Sequence, residues 1–107
     1  MTVNELVQNG FKAIALPEGD REISGVYIGD LLSWVMGRAN SGDAWITIMS
    51  NMNIIAVASL ADTACIILAE GVTLEKDVIE TALKKGINIL SGQEGIYEIA
   101  LKLSGLI

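Results

Sequence analysis

From residue 30 onward, short apolar runs alternate with longer stretches in which apolar residues recur at helical spacing. The run at residues 64–69, Ala-Cys-Ile-Ile-Leu-Ala, is apolar throughout, which is typical of a strand covered on both faces in a parallel sheet. Helical spacing is found in residues 31–39, 74–83 and 96–107. Parallel strands need crossover connections, so the alternation predicts an α/β fold with three layers: a mostly parallel sheet of about five strands with helices on both faces.

Capping and turn residues predict the remaining elements. Thr2 and Glu5 form the pattern of a capping box, which begins a short first helix. Residues 11–16 and 23–28 are predicted strands, and the turn that starts at Pro17 could join them as a hairpin. The other predicted strands span residues 44–49, 64–69 and 87–90. Residues 54–60 form a predicted buried helix.

Length and composition bound the class of protein. The chain has 107 residues, of which 51% are hydrophobic and 19% charged, and we expect one domain spanning residues 1–107. The formal net charge of -6 repels nucleic acid and anionic membranes, so neither is an expected partner. Residues 1–5 lack a signal-peptide pattern and no apolar run approaches the roughly 20 residues that span a bilayer, so a cytoplasmic location is expected. High apolar content with few charges favours a homodimer.

The chain lacks the residues that several kinds of chemistry require. It has no histidine, and its one cysteine, Cys65, lies in an apolar run typical of a buried strand, so zinc, haem and histidine-based triads are excluded. The phosphate-cradling pattern Gly-x-x-x-x-Gly-Lys-Ser/Thr is absent. We therefore expect neither a cofactor nor enzymatic activity.

Residues 19–30 combine four charged residues with three glycines, a composition typical of a loop that bends sharply or lies close to a ligand. Arg21 could bind a phosphate or carboxylate in bidentate fashion, or it could pair with a nearby acidic residue. Asp20, Glu22 and Asp30 could alternatively gather around Mg²⁺, although their spacing matches no diagnostic metal motif.

Polar residues follow each predicted parallel strand, at the positions where ligands bind in open α/β sheets. Together with Arg21, they form the predicted ligand-binding set: Gly29, Asp30, Ser50, Asn51, Glu70, Gly71, Ser91 and Gly92. If these turns share one edge of the sheet, their hydroxyls, amides and N–H groups can hold an anion. The alternative is that they only cap helices and turn the chain, and Ser91 with Glu94 indeed has the spacing of a second capping box.

Six segments carry a resemblance to a known family: Asp20-Arg21-Glu22-Ile23-Ser24-Gly25, Gly29-Asp30-Leu31-Leu32-Ser33, and residues 45–47, 53–58, 65–71 and 86–92. With them, the chain resembles the DRTGG domain family along nearly its whole length, although members often have Thr-Gly-Gly or Thr-Gly where this chain has Ala69-Glu70-Gly71. The family is similar to the N-terminal domain of HPr kinase/phosphorylase. It also occurs as an accessory domain in phosphotransacetylases and in pyrophosphatases with CBS domains.

This resemblance implies a three-layer α/β fold, dimerisation and a regulatory role. The leading hypothesis is a non-catalytic domain that senses a small anionic ligand, either a nucleotide or a phosphate-bearing metabolite. The alternative is a homodimeric protein-interaction module without a metabolite ligand. Stand-alone relatives are sometimes labelled serine kinases by association, but the missing phosphate-binding loop argues against such activity here.

Overall fold

The computed structural model describes residues 1–107 and contains five helices and five strands. From residue 30 onward, helices and strands alternate in the predicted order. In chain order the elements are α1 (Val3–Gln8), β1 (Lys12–Ala15), β2 (Gly25–Ile28), α2 (Leu32–Arg38), β3 (Asp43–Thr47), α3 (Asn53–Ala61), β4 (Cys65–Leu68), α4 (Lys76–Lys85), β5 (Ile89–Ser91) and α5 (Ile96–Ser104).

The five strands form one sheet in the order β1-β5-β4-β3-β2. The neighbours among β2 to β5 pair in parallel, and β1 pairs with β5 in antiparallel orientation. Each parallel pair is connected through a helix, as crossover connections require. The predicted mostly parallel α/β fold is confirmed.

Two apolar clusters pack on opposite faces of the sheet. Alternate residues of β3 point to opposite faces, so Ile46 packs with α1 and α5, whereas Trp45 packs with α2, α3 and α4. The central strand β4 is buried at every position, as its uninterrupted apolar sequence predicts. The sheet is therefore the middle of three layers. None of the helices is both long and apolar enough to cross a bilayer.

The hairpin predicted between β1 and β2 is wrong, because these two strands occupy opposite edges of the sheet. The segment between them runs along the ends of the central strands, where it bonds to other elements. The backbone N–H groups of Val3 and Asn4 donate to the carbonyls of Arg21 (3.0 Å) and Gly19 (2.9 Å). Pro17 does end the first strand, but the partner of β1 is set by distant residues of β5 rather than by the local turn.

The two predicted capping boxes have different outcomes. At α1, the Glu5 N–H donates to Thr2 Oγ1 (3.3 Å) and the Thr2 N–H donates to Glu5 Oε1 (3.2 Å), which confirms the first box. The second box is wrong, because Ser91 belongs to β5 and α5 begins only after Gly95, which forms no side-chain cap. Ser91 pairs within the sheet, so its backbone is extended and the helix starts farther along.

Part of the predicted apolar faces of the helices is open to solvent. Leu31 and Met36 belong to the predicted stripe of α2 but are 57% and 47% exposed, and Leu83 of α4 is 50% exposed. Only one residue of α2, Val35, is buried, because the helix is short and makes its most extensive contacts with α3. Helical spacing therefore predicted where the helices lie, but it predicted a wider buried face on each helix than the structure shows.

Candidate ligand site at the carboxyl edge of the sheet

The predicted site residues, except Arg21, lie along one edge of the sheet. We call this edge, where β2, β3, β4 and β5 end, the carboxyl edge. The turns after these strands align because neighbouring parallel strands end side by side. In order along the sheet, the turns carry Gly29 and Asp30, Ser50 and Asn51, Glu70 and Gly71, and Ser91 and Gly92.

Arg21 lies at the opposite, amino edge of the sheet, so its predicted place beside the other site residues is wrong. It precedes β2, and its guanidinium donates to the carboxylate (3.1 Å) and the carbonyl (2.9 Å) of Asp62, just before β4. The Ser41 hydroxyl also donates to this carboxylate, and these bonds from Ser41 and then Arg21 lower the pKa of Asp62. Arg21 therefore forms the structural ion pair that was the alternative to ligand binding, and it joins three loops.

The three carboxylates considered for Mg²⁺ do not converge. Asp20 lies at the amino edge, where its Oδ1 accepts a hydrogen bond from the Asn4 side chain (3.1 Å), and Glu22 is two residues away. Asp30 lies at the carboxyl edge. There its Oδ1 accepts from the Thr47 hydroxyl (2.7 Å) and the Ile48 N–H (3.0 Å). The strand β2 separates the two positions.

The turns after β2 and β3 are occupied by hydrogen bonds within the chain. Asp30 holds the end of β3 as described, and the Trp45 indole N–H donates to the Gly29 carbonyl (2.9 Å). The Asn51 side chain accepts from the Asn53 N–H (2.9 Å) at the start of α3. Asn51 thus turns the chain into α3, which is one of the structural roles given as the alternative, whereas the N-cap residue Met52 has no side-chain cap. Exposed Ser50 lies beside Asn51. These two turns secure the sheet edge.

The turns after β4 and β5 instead border a cavity of about 200 Å³, which we call the edge cavity. Two predicted residues, Gly71 and Ser91, line it. The other polar groups in its wall are Lys12, Thr73 and Gln93, and the apolar part of the wall consists of Ile14, Leu68, Val72, Leu74 and Ile79.

Ser91 is the most informative residue of the edge cavity. It is only 6% exposed, and its hydroxyl forms no hydrogen bond with any other group of the chain although the residue lines the cavity. The hydroxyl oxygen keeps contact with solvent, because Thr63 Oγ1 is the one fully buried side-chain polar atom without a partner, so Ser91 Oγ is open to a ligand from the cavity. Lys12 stands directly opposite Ser91 in the β1–β5 pairing and forms no ion pair. These two residues therefore line the same cavity from neighbouring strands.

The loop that borders the cavity has a constrained backbone. Glu70 (φ 62°) and Gly71 (φ 68°) both adopt the left-handed conformation. The N–H groups of Glu70 and Gly71 donate to the carbonyls of Glu94 (2.8 Å) and Gly92 (3.0 Å), so the turns after β4 and β5 are joined. A Cβ on Gly71 would lie 2.7 Å from Gln93 Oε1. The positive φ of Gly71 favours glycine, and a Cβ there would displace the end of the exposed Gln93 side chain.

Sequence reasoning missed Lys12, Thr73 and Gln93. Lys12 begins β1, and because β1 runs antiparallel to β5, its start lies at the carboxyl edge together with the ends of the other strands. The available signal was a lysine followed by three apolar residues in a predicted strand, Lys12-Ala13-Ile14-Ala15. Cys65, by contrast, has the predicted structural role: it is fully buried, and burial raises the pKa of its thiol to about 12.

Comparisons with known proteins agree with this fold. A family model described as the DRTGG domain matches residues 12–106. The chain is also similar to the crystal structure of the CBS and DRTGG domains of the regulatory region of Clostridium perfringens pyrophosphatase, complexed with the activator diadenosine tetraphosphate. The TM-score is 0.69 at 19% identity, over 91% of this chain and 43% of that chain. No curated protein sequence matches. Because this family model matches the chain from β1 through α5, the chain belongs to the DRTGG domain family.

Proposed function

We propose that this chain is a non-catalytic regulatory domain that senses a small anionic ligand at the edge cavity. The observation that carries the proposal is that Ser91, whose hydroxyl has no partner in the chain, and Lys12, which forms no ion pair, line one cavity from paired positions of β5 and β1. The similar pyrophosphatase region, which is regulatory and was crystallised with a nucleotide activator, supports a sensing role. Nucleotides and phosphate-bearing metabolites are therefore among the first ligands to test.

The groups around the edge cavity suit an oxyanion. Lys12 supplies a positive charge, and Ser91 and Thr73 supply hydroxyl donors. A hydrogen bond to a charged partner is stronger than one between neutral groups, particularly where protein excludes water. Five apolar residues complete the wall, so the cavity combines a few polar groups with an apolar surface, as small-molecule sites generally do.

Binding without catalysis is the activity that these groups favour. The wall offers an ammonium, two hydroxyls and an amide, but no carboxylate or imidazole that could serve as a general base. The Cys65 thiol packs in the cluster on the other face of the sheet, and its raised pKa of about 12 makes it a poor nucleophile. The loop at Glu70 and Gly71, which is hydrogen-bonded to residues 92 and 94, would instead respond to a ligand by becoming more rigid.

A thermal-shift panel tests the proposal. It comprises AMP, ATP, diadenosine tetraphosphate, inorganic phosphate and short-chain carboxylates. A ligand at 100 times its Kd adds about 2.7 kcal/mol to stability, which should raise the Tm of a domain of this size by about 10 °C or more. Lys12→Gln should remove the shift, whereas Lys84→Gln, which changes an exposed lysine on α4, should preserve it. A flat response to every compound would contradict the proposal.

A homodimeric interaction module is the second candidate function. The edge strand β2 exposes Val26 (40%) and Ile28 (47%), which border an apolar groove with Leu103 and Ile107 of the C-terminal region. Pairing of β2 with β2 of a second copy would bury these side chains and continue the sheet. Light scattering should then give twice the chain mass of 11.4 kDa, and Ile28→Lys should halve it. A monomer at micromolar concentration would exclude this candidate.

A further inference from the structure

We infer that the edge cavity selects a small aliphatic monocarboxylate over a nucleoside polyphosphate. The inference rests on the proposed function and narrows its ligand class. Three properties of the edge cavity carry it: its volume, its single positive charge and its apolar wall. Each property restricts the ligand independently of the others.

The volume favours a compact ligand. The cavity measures about 200 Å³, below the roughly 300–1,000 Å³ of pockets that enclose drug-sized molecules. A nucleoside polyphosphate would leave most of its atoms outside, in contact with solvent rather than with the chain. A carboxylic acid with a chain of a few carbons matches this volume.

The charge favours a monoanion. Lys12 is the one cationic residue in the wall, and one carboxylate would neutralise it. On the adjoining loops, Glu70 adds negative charge, and Glu94 already has a cationic neighbour, Lys102, at 3.9 Å. The additional charges of a polyphosphate would therefore meet no second cation in the wall, and the Glu70 carboxylate would repel them. A carboxylate oxygen can instead accept from the Ser91 hydroxyl while the other faces the Lys12 ammonium.

The apolar wall favours a hydrocarbon body. Ile14, Leu74 and Ile79 pack against the cluster on the α4 side of the sheet and form part of the cavity wall. An alkyl chain buried against them leaves water, and each added methylene should tighten binding about fourfold until the cavity is full. Affinity should thus increase with chain length, and then stop increasing.

A titration followed by amide chemical shifts tests the inference. The ¹⁵N-labelled chain is titrated with acetate, butyrate and hexanoate, with butylamine as the matched cation, and with inorganic phosphate and ATP, all at pH 7 and constant ionic strength. Butyrate should bind about 15-fold more tightly than acetate, because it has two more methylenes. The shifts should centre on the amides of Gly71, Ser91 and Gly92, and butylamine should cause none there.

Variants separate the polar contacts from general folding effects. Lys12→Gln and Ser91→Ala should each weaken butyrate binding at least tenfold, whereas Lys84→Gln should leave it unchanged. The amide spectrum of each variant shows whether it is folded. If Ser91→Ala is not folded, the exposed Lys12→Gln still tests the contact with the charged group.

The outcomes distinguish the inference from the function on which it rests. Tighter binding of ATP or phosphate than of butyrate at the cavity amides would overturn the inference and leave the sensing function intact. Carboxylate binding that is independent of chain length would also overturn the inference, because the apolar wall would then have no role. No shift of these amides with any anion would contradict both.

Discussion

Replacing Trp45 with alanine is expected to lower the free energy of unfolding by about 3–5 kcal/mol, the largest effect that we expect from a single substitution. The Trp45 side chain is completely buried among residues of α2, α3 and α4. Its removal would leave a cavity in the core and would also remove the donor to the Gly29 carbonyl, which lies at 2.9 Å. Urea denaturation followed by far-UV circular dichroism measures the loss.

The second tryptophan provides a matched control. Trp34 is 52% exposed on α2, and its main partner is the Arg38 guanidinium, 3.7 Å above the ring. Trp34→Ala should therefore cost about 1 kcal/mol or less, the range of an exposed cation–π contact. If Trp45→Ala does not fold, Trp45→Phe retains an aromatic ring but loses the hydrogen bond, and it should still cost more than Trp34→Ala. Equal losses at the two tryptophans would show that the core is not packed around Trp45.

Replacing Asn88 with alanine is expected to lower the free energy of unfolding by about 2–4 kcal/mol. The residue is 2% exposed, and its side-chain amide forms hydrogen bonds with two separate parts of the chain. It donates to the carbonyls of Glu18 (2.8 Å) and Ala64 (3.0 Å) and accepts from the Glu18 N–H (2.9 Å). Alanine leaves these backbone groups unpaired, and each buried unpaired group costs about 1–3 kcal/mol.

The location of this loss can be measured as well as its size. Because Asn88 holds Glu18, hydrogen exchange in Asn88→Ala should accelerate most at residues 17–23, next to the bond that is removed. Asn40→Ala is the control: the Asn40 side chain is exposed, and we expect a change within about 0.5 kcal/mol. Uniform acceleration of exchange along the chain would show that Asn88 does not specifically hold this segment.

The element order could be predicted from the sequence because the hydrophobic period changes sharply at each boundary. The run around β4 and the stripe of α5 are recognisable without knowledge of their neighbours. The partner of β1 could not be predicted in the same way. Pro17 and Gly19 suggest a local turn, but the antiparallel pairing with β5 depends on residues more than 70 positions away.

The candidate site was only partly predictable for a related reason. Parallel strands place the ends of β4 and β5 together, so Gly71 and Ser91 could be identified from strand order alone. Lys12 could not, since its position depends on the reversed direction of β1. Arg21 was assigned to the wrong edge because the sequence does not reveal Asp62 as its partner. Asn88 was predicted only as part of the strand at residues 87–90, although it bonds to two distant segments.

The pairing of β1 with β5 also bears on how the chain folds. Lys12 and Ser91 are separated by on the order of 80 residues, so the edge cavity requires one of the most non-local contacts in the molecule. The four parallel strands can associate stepwise through their crossover helices, whereas β1 must wait for β5 before it has a partner. The cavity therefore exists only after the two ends of the chain have met. A ligand bound between Lys12 and Ser91 would hold β1 against β5 and would slow the separation of β1 from the sheet.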